Sequence, residues 1–184
     1  VVEELGLDGI DVDWEYPTSS AAEISSSPED TDNFTELMKD LRKVLGNELL
    51  LTFASAASAD YVDFRAVEPY VDFVNIMAYD MANAPKHHSA LYESEISGEM
   101  TLDKAARAHI AAGVPAHKLV LGMPFYGRGA GRYANFNDFK DIKPDIEAYE
   151  IWDEKAQVPY IADTDGTLIV GYDNPRSLKI KCEY

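Results

Sequence analysis

The run Leu7-Asp8-Gly9-Ile10-Asp11-Val12-Asp13-Trp14-Glu15-Tyr16-Pro17 constrains this chain more than any other stretch. Read as a strand, its side chains alternate between two faces. Ile10, Val12 and Trp14 cover one face, while Asp11, Asp13 and Glu15 line the other. Three carboxylates on one side of an apolar strand are a poor way to build a core. Like charges about 7 Å apart along a pleat raise one another's pKa, and partial burial raises them further. A carboxyl group that holds its proton near neutral pH is what a general acid requires.

The segments that follow say what such a strand belongs to. Thr18 to Ser27 reads as a Ser/Ala-rich loop, with Ser27 as N-cap, Pro28 in the first helical position and Glu29 and Asp30 in the first turn. Phe34, Leu37, Met38, Leu41 and Leu45 then repeat at helical spacing up to Gly46. Leu49 to Ala54 is an apolar run of strand length. Asp60 to Val67 predicts a brief helix ended by Glu68-Pro69, and Val71 to Ala78 is rich in β-formers. Met81 to Gly98 has no period and reads as a long loop; its adjacent His87 and His88 are expected to face solvent, with a place lining a binding groove as the alternative. Thr101 caps a helix carrying Leu102, Ala105, Ala106 and Ile110, closed by Gly113 and Pro115, and Leu119 to Tyr126 is another apolar strand. Strands alternating with helices predict a parallel sheet covered by helices, with right-handed crossovers.

From Gly127 to Tyr172 this rhythm breaks. Asp163-Thr164-Asp165-Gly166 between Val158-Pro159-Tyr160-Ile161 and Thr167-Leu168-Ile169-Val170 is a hairpin signal, so a small β-rich insertion is expected. Asn174-Pro175-Arg176 opens a last helix carrying Leu178, Ile180 and Cys182.

Composition narrows the function classes. With 33 acidic and 16 basic residues, the formal charge of −17 argues against nucleic acid and anionic membrane as partners. No run of about 18 apolar residues predicts a membrane span. One cysteine, Cys182, excludes an intrachain disulfide and leaves the compartment open. Both ends, Val1-Val2-Glu3-Glu4 and Lys181-Cys182-Glu183-Tyr184, read like cuts through something longer.

From the chemistry alone the acidic strand admits three readings: acid catalysis, a hard-cation site, or a solvated edge. An EF-hand type of calcium loop needs Gly at its sixth position, where counting from Asp11 finds Tyr16. The apolar face and the apolar helix after it favour a buried strand over an edge. Carboxylates at the carboxyl end of a buried parallel strand stand where such sheets place their catalytic groups.

Asp8-Gly9-Ile10-Asp11-Val12-Asp13-Trp14-Glu15 also resembles the D-x-x-D-x-D-x-E signature of the family 18 glycoside hydrolases, the chitinases and their relatives. Met77-Ala78-Tyr79-Asp80 is similar to that family's M-x-Y-D strand end, and Gly122-Met123-Pro124-Phe125-Tyr126-Gly127-Arg128 to its G-x-P-x-Y-G-R segment. Val158-Pro159-Tyr160 and Tyr172-Asp173-Asn174-Pro175-Arg176-Ser177 extend the resemblance to nearly the whole chain.

The resemblance implies an α/β fold, part of a (β/α)8 TIM barrel. Residues 1–128 would supply barrel strands four to seven, 129–172 an α+β insertion, and 173–184 the helix leading to an eighth strand. It implies hydrolysis of β-1,4-linked N-acetylglucosamine polymers, chitin or chito-oligosaccharides, outside the cytoplasm, extracellular or periplasmic. Glu15 would be the proton donor, Asp13 the partner of the substrate's 2-acetamido group, and Asp11 the group that shares a proton with Asp13. Tyr79 would donate to the acetamido carbonyl with Asp80 alongside, and Asp8 would be a structural hydrogen-bond acceptor. Met77, Tyr126, Arg128, Tyr16 and Trp152 are the substrate-binding candidates; for Arg128 a carboxylate partner and for Trp152 a place in the insertion core are the alternatives. No metal or cofactor is implied. A catalytically silent glycan-binding relative, or an enzyme of N-glycan cores or peptidoglycan, would share most of these residues. An isolated half barrel would leave strand edges open to self-association.

Overall fold

Gly9 begins strand β1 (Gly9–Val12) because its parallel partner β2 (Leu50–Ala56) passes very close. A Cβ on Gly9 would lie 2.1 Å from the Leu50 carbonyl oxygen, so no other residue fits this register. The computed structural model describes residues 1–129, 132–134, 138 and 149–184. The described chain forms two compact units, Val1–Met77 with Ala106–Leu121 and Ala78–Ala105 with Gly122–Tyr184.

The first unit holds a four-stranded parallel sheet in the order β1, β2, β3 (Phe73–Met77), β4 (Leu119–Leu121). Helix α1 (Val2–Leu5) precedes β1, α2 (Asp30–Leu45) connects β1 to β2, and the single turn α3 (Phe64–Val67) lies between β2 and β3. Phe34 and Met38 of α2, at helical spacing, bury against Leu51 and Phe53 of β2, with Phe64, Val67, Val71, Val74 and Val114 completing the core. Ile10, Val12 and Trp14 pack against this cluster, as the alternation predicts, and Trp14 lies 6.0 Å from Phe34. Truncating Phe34 or Phe53 here is the kind of change that costs about 3–5 kcal/mol.

Three local expectations shift. Helix α2 starts at Asp30, two residues late, because the Asp30 carboxylate turns back to accept the Ser27 N–H at 2.7 Å. Gly46 ends the helix as expected, at φ 70°. The strand expected over residues 119–126 pairs only over β4, Leu119–Leu121. In α4 (Leu102–Ala112) Leu102, Ala105 and Ala106 are buried, but Ile110 is 49% exposed and His109 takes the inward place. The reason is a partner: His109 Nε2 lies 2.8 Å from Ser55 Oγ of β2, and its ring meets the edge of Phe64.

The second unit carries an antiparallel sheet ordered β6 (Arg132–Ala134), β5 (Gly127–Gly129), β9 (Leu168–Gly171), β8 (Val158–Ala162), β7 (Glu150–Asp153). The expected hairpin joins β8 to β9; Asp163 Oδ1 accepts the N–H groups of Asp165 and Thr167, and Gly166 takes φ 82°. Helix α5 (Pro175–Glu183) opens with a reciprocal cap between Asn174 and Ser177. Its buried face is Ser177 and Lys181, whereas Cys182 is exposed. Lys181 is admitted because Asp173 Oδ2, at 2.7 Å, and the Ser89 carbonyl, at 2.6 Å, receive its ammonium.

Candidate active site

The paired part of β1 ends at Val12, so Asp13 and Glu15 stand just past the carboxyl end of a parallel strand while Asp11 remains within it. Asp11 projects opposite to the core-facing Ile10 and Val12. Its Oδ1 accepts two hydrogen bonds, from Thr52 Oγ1 of β2 at 2.5 Å and from Asn75 Nδ2 of β3 at 2.9 Å. Neither donor was singled out by the sequence; each sits inside a run that reads as apolar strand.

Asp13 is the acid whose pKa rises. Partial burial is the largest cause, followed by the charges of Glu15 and Asp11 and a hydrogen bond to Glu15 that needs a proton between the two carboxyl groups. Tyr16 donates to Glu15, and burial with that bond pushes its phenol up. The peptide bond between Glu15 and Tyr16 is cis. One face of the Tyr16 ring is stacked on Tyr61, at 4.9 Å and 16°. Met77 ends β3 half-buried. Asp8 is exposed, and it is its backbone carbonyl that accepts, from Leu50 N–H at 2.8 Å; among the described residues no side chain bonds its carboxylate, so the expected structural role falls to the main chain.

The remaining candidates lie in the second unit. The half-buried Tyr79 meets Tyr126 edge-on at 6.4 Å. Asp80, at φ 56°, pairs through Oδ1 with Arg128 Nη1 at 3.0 Å, the carboxylate alternative for that arginine. His87 and His88 are each 1% exposed, against the expectation of a solvent-facing pair. His88 Nδ1 accepts the Asp80 backbone N–H at 3.3 Å, and burial lowers its pKa to about 4. His87 Nε2 donates to Asp153 Oδ2 at 3.2 Å, and burial lowers its pKa too. Nothing in the local sequence announces this burial, because the partners, Asp80 apart, are supplied from distant positions. Arg176 lies 3.7 Å over the Trp152 ring and covers one face of that indole. Among the described residues no group of three or more His, Cys, Asp or Glu is placed to hold a metal ion, and no helix is long and apolar enough to cross a membrane.

Acids gathered at the carboxyl end of a parallel strand, with the pKa of one of them raised, form a candidate site for acid-assisted bond cleavage. The family model described as "Glycosyl hydrolases family 18" matches residues 1–184, and the chain belongs to that family. Its parallel sheet and helices are accordingly part of a (β/α)8 barrel. The chain is 34% identical to chitinase A1 of Niallia circulans over 98% of its own length and 33% of that protein's. Among solved structures it resembles a family 18 N-acetylglucosaminidase from Paenibacillus barengoltzii, with 32% identity and a TM-score of 0.88 over all of this chain and 63% of that one. It also resembles the chitinase domain of the spore coat protein CotE from Clostridium difficile, with 35% identity and a TM-score of 0.74, over all of this chain and 56% of that one. The chain thus spans between a third and two thirds of the length of these relatives.

Proposed function

We propose that the protein carrying this chain hydrolyses β-1,4-linked N-acetylglucosamine polymers, with retention of anomeric configuration, by a substrate-assisted mechanism outside the cytoplasm. The observation that supports this reading is the cluster of Asp11, Asp13 and Glu15 at the carboxyl end of β1, where partial burial and the neighbouring acids raise the Asp13 pKa. In the proposed reaction Glu15 gives its proton to the glycosidic oxygen as the bond to the anomeric carbon breaks. The 2-acetamido oxygen of the same sugar attacks that carbon and forms an oxazolinium ion. Asp13, having passed its proton toward Asp11, accepts the acetamido N–H and stabilises the cation. Water then adds to the anomeric carbon, giving its proton to Glu15, and the ring opens with configuration retained. This family is among the substrate-assisted exceptions to the two-carboxylate scheme. Family resemblance supports a hydrogen bond from Tyr79 to the acetamido carbonyl, with Asp80 alongside.

An intact Glu15 favours an enzyme over a silent glycan-binding relative. Release of single N-acetylglucosamine units from chain ends is a second reading, supported by the likeness to the Paenibacillus N-acetylglucosaminidase. The complete protein, incubated with chito-oligosaccharides, is expected to yield β-anomers by NMR, and the sizes of the first products separate internal from terminal cleavage. Glu15→Gln is expected to lower kcat by about 10²–10⁴. Unchanged turnover in that variant would remove Glu15 from the acid role, and α-anomers would exclude substrate assistance.

A further inference from the structure

We propose that Asn75, together with Thr52, is a positioning residue that fixes the charge and the proton-bearing oxygen of Asp11, and that the pH dependence of catalysis is set through it. This rests on the acid roles given to Asp11, Asp13 and Glu15 above. Three neighbouring strands present these groups on one face of the sheet. Asp11 of β1 is in register with Thr52 of β2, and Asn75 of β3 is in register with Ala54, two residues further along β2 and on the same face as Thr52.

Both donors point at the same atom. The Thr52 hydroxyl, 2.5 Å away, and the Asn75 amide, 2.9 Å away, fill the two lone pairs of Asp11 Oδ1. Donors aimed at a carboxylate favour its charged form. A proton arriving on Asp11 must therefore bind Oδ2, and the pair of bonds resists rotation of the carboxyl group that would exchange the two oxygens. The titratable group shown to interact with this carboxyl is Asp13, which in turn interacts with Glu15. At the register positions on this face, β2 offers Thr52 and Ala54 and β3 offers Asn75 and Met77, all uncharged. Among the described residues, β2 and β3 thus contribute donors and no charged side chain at the register positions beside Asp11.

A lost hydrogen bond to a charged group corresponds to about a tenfold effect or more. In the complete protein, Asn75→Ala is expected to lower kcat by about tenfold or more with KM within twofold, and to move the acid limb of the kcat profile to higher pH. Asn75→Asp, which replaces the donor by an acceptor of the same shape, is expected to move it further. Asn75→Ser, which restores a hydroxyl donor, is expected to recover part of both effects. If the alanine variant does not fold, Thr52→Val removes the other donor at nearly constant volume and is expected to shift the limb in the same direction. Carbon-13 NMR titration of the Asp11 carboxyl reads the positioning without any substrate: its midpoint is expected to rise in Asn75→Ala. An unmoved midpoint would overturn the proposal even in an active enzyme, as would an unmoved acid limb accompanied only by a lower Tm. Wild-type protein inactive on chito-oligosaccharides with the midpoint nonetheless shifted would overturn the hydrolase reading and leave the positioning standing.

Discussion

Both units gather carboxylates, and the acids at the end of β1 are treated differently from those paired with cations, such as Asp72 with Arg42 in the first unit. In the second unit Asp80 pairs with Arg128 and Asp173 with Lys181, while Asp153 accepts a hydrogen bond from the buried His87. In the first unit Asp11, Asp13 and Glu15 have one another, and among the described residues no Lys, Arg or His forms an ion pair with any of the three. Charge compensated by a fixed partner is structural, since neither member can change state without cost to the other. Charge left to repel its like makes a proton easy to hold and easy to pass on. The same residue type, aspartate, thus serves as a rivet at Asp173 and Asp72, and under the proposed function as chemistry at the end of β1.

That contrast can be broken at its strongest point. Lys181→Met leaves Asp173 buried without its cation, and a loss of about 3–5 kcal/mol in urea unfolding is expected. Adding Asp173→Asn to that variant should restore part of the loss; no recovery would mean that packing, not charge, makes the corner stable.

The histidines sharpen the comparison by pH. His88 is buried neutral with a pKa near 4, below its ordinary value of 6.5. The unfolded chain therefore takes up the proton first as pH falls, so the stability from this group is complete above about pH 6.5 and is lost toward pH 4. The loss is expected to approach about 3 kcal/mol, seen as a falling Tm. His88→Asn, whose carbonyl can still accept the Asp80 N–H, should flatten that slope. An unchanged slope would assign it elsewhere.

The smallest effect belongs to the acids. The pKa of Asp13 is raised in the folded state, so its ionised form costs stability as pH rises above the ordinary carboxylate value. Asp13→Asn is expected to raise stability at pH 7 by less than about 1 kcal/mol, since the group remains partly in water. The gain should vanish below about pH 4, where the folded and unfolded chains both hold the proton. A destabilised variant would place Asp13 among the structural acids instead.

Much of this was legible in the residues. Alternation in β1 separated Ile10, Val12 and Trp14 from the acids, Gly46 marked the end of α2, and Asp163 to Gly166 marked the hairpin. These signals are local, read within one turn or one pleat. What escaped was set by partners distant in sequence. Thr52 and Asn75 look incidental until Asp11 is brought beside them from 41 and 64 residues away. His109 displaces Ile110 from the inward face because Ser55 awaits it, and Lys181 looks like a surface lysine until Asp173 and the Ser89 carbonyl enclose it. The partner of Arg128 was open for the same reason.

The enclosure of Lys181 has an evolutionary side. Asp173 also accepts from the Ser89 and Ser177 hydroxyls, at 2.8 and 2.7 Å, so four residues depend on one another for satisfied polar contacts. A single replacement at Lys181 or Asp173 strands a charge away from water, which costs stability. Homologous sequences should therefore keep the quartet intact or exchange it as a block, while surface positions around it drift freely.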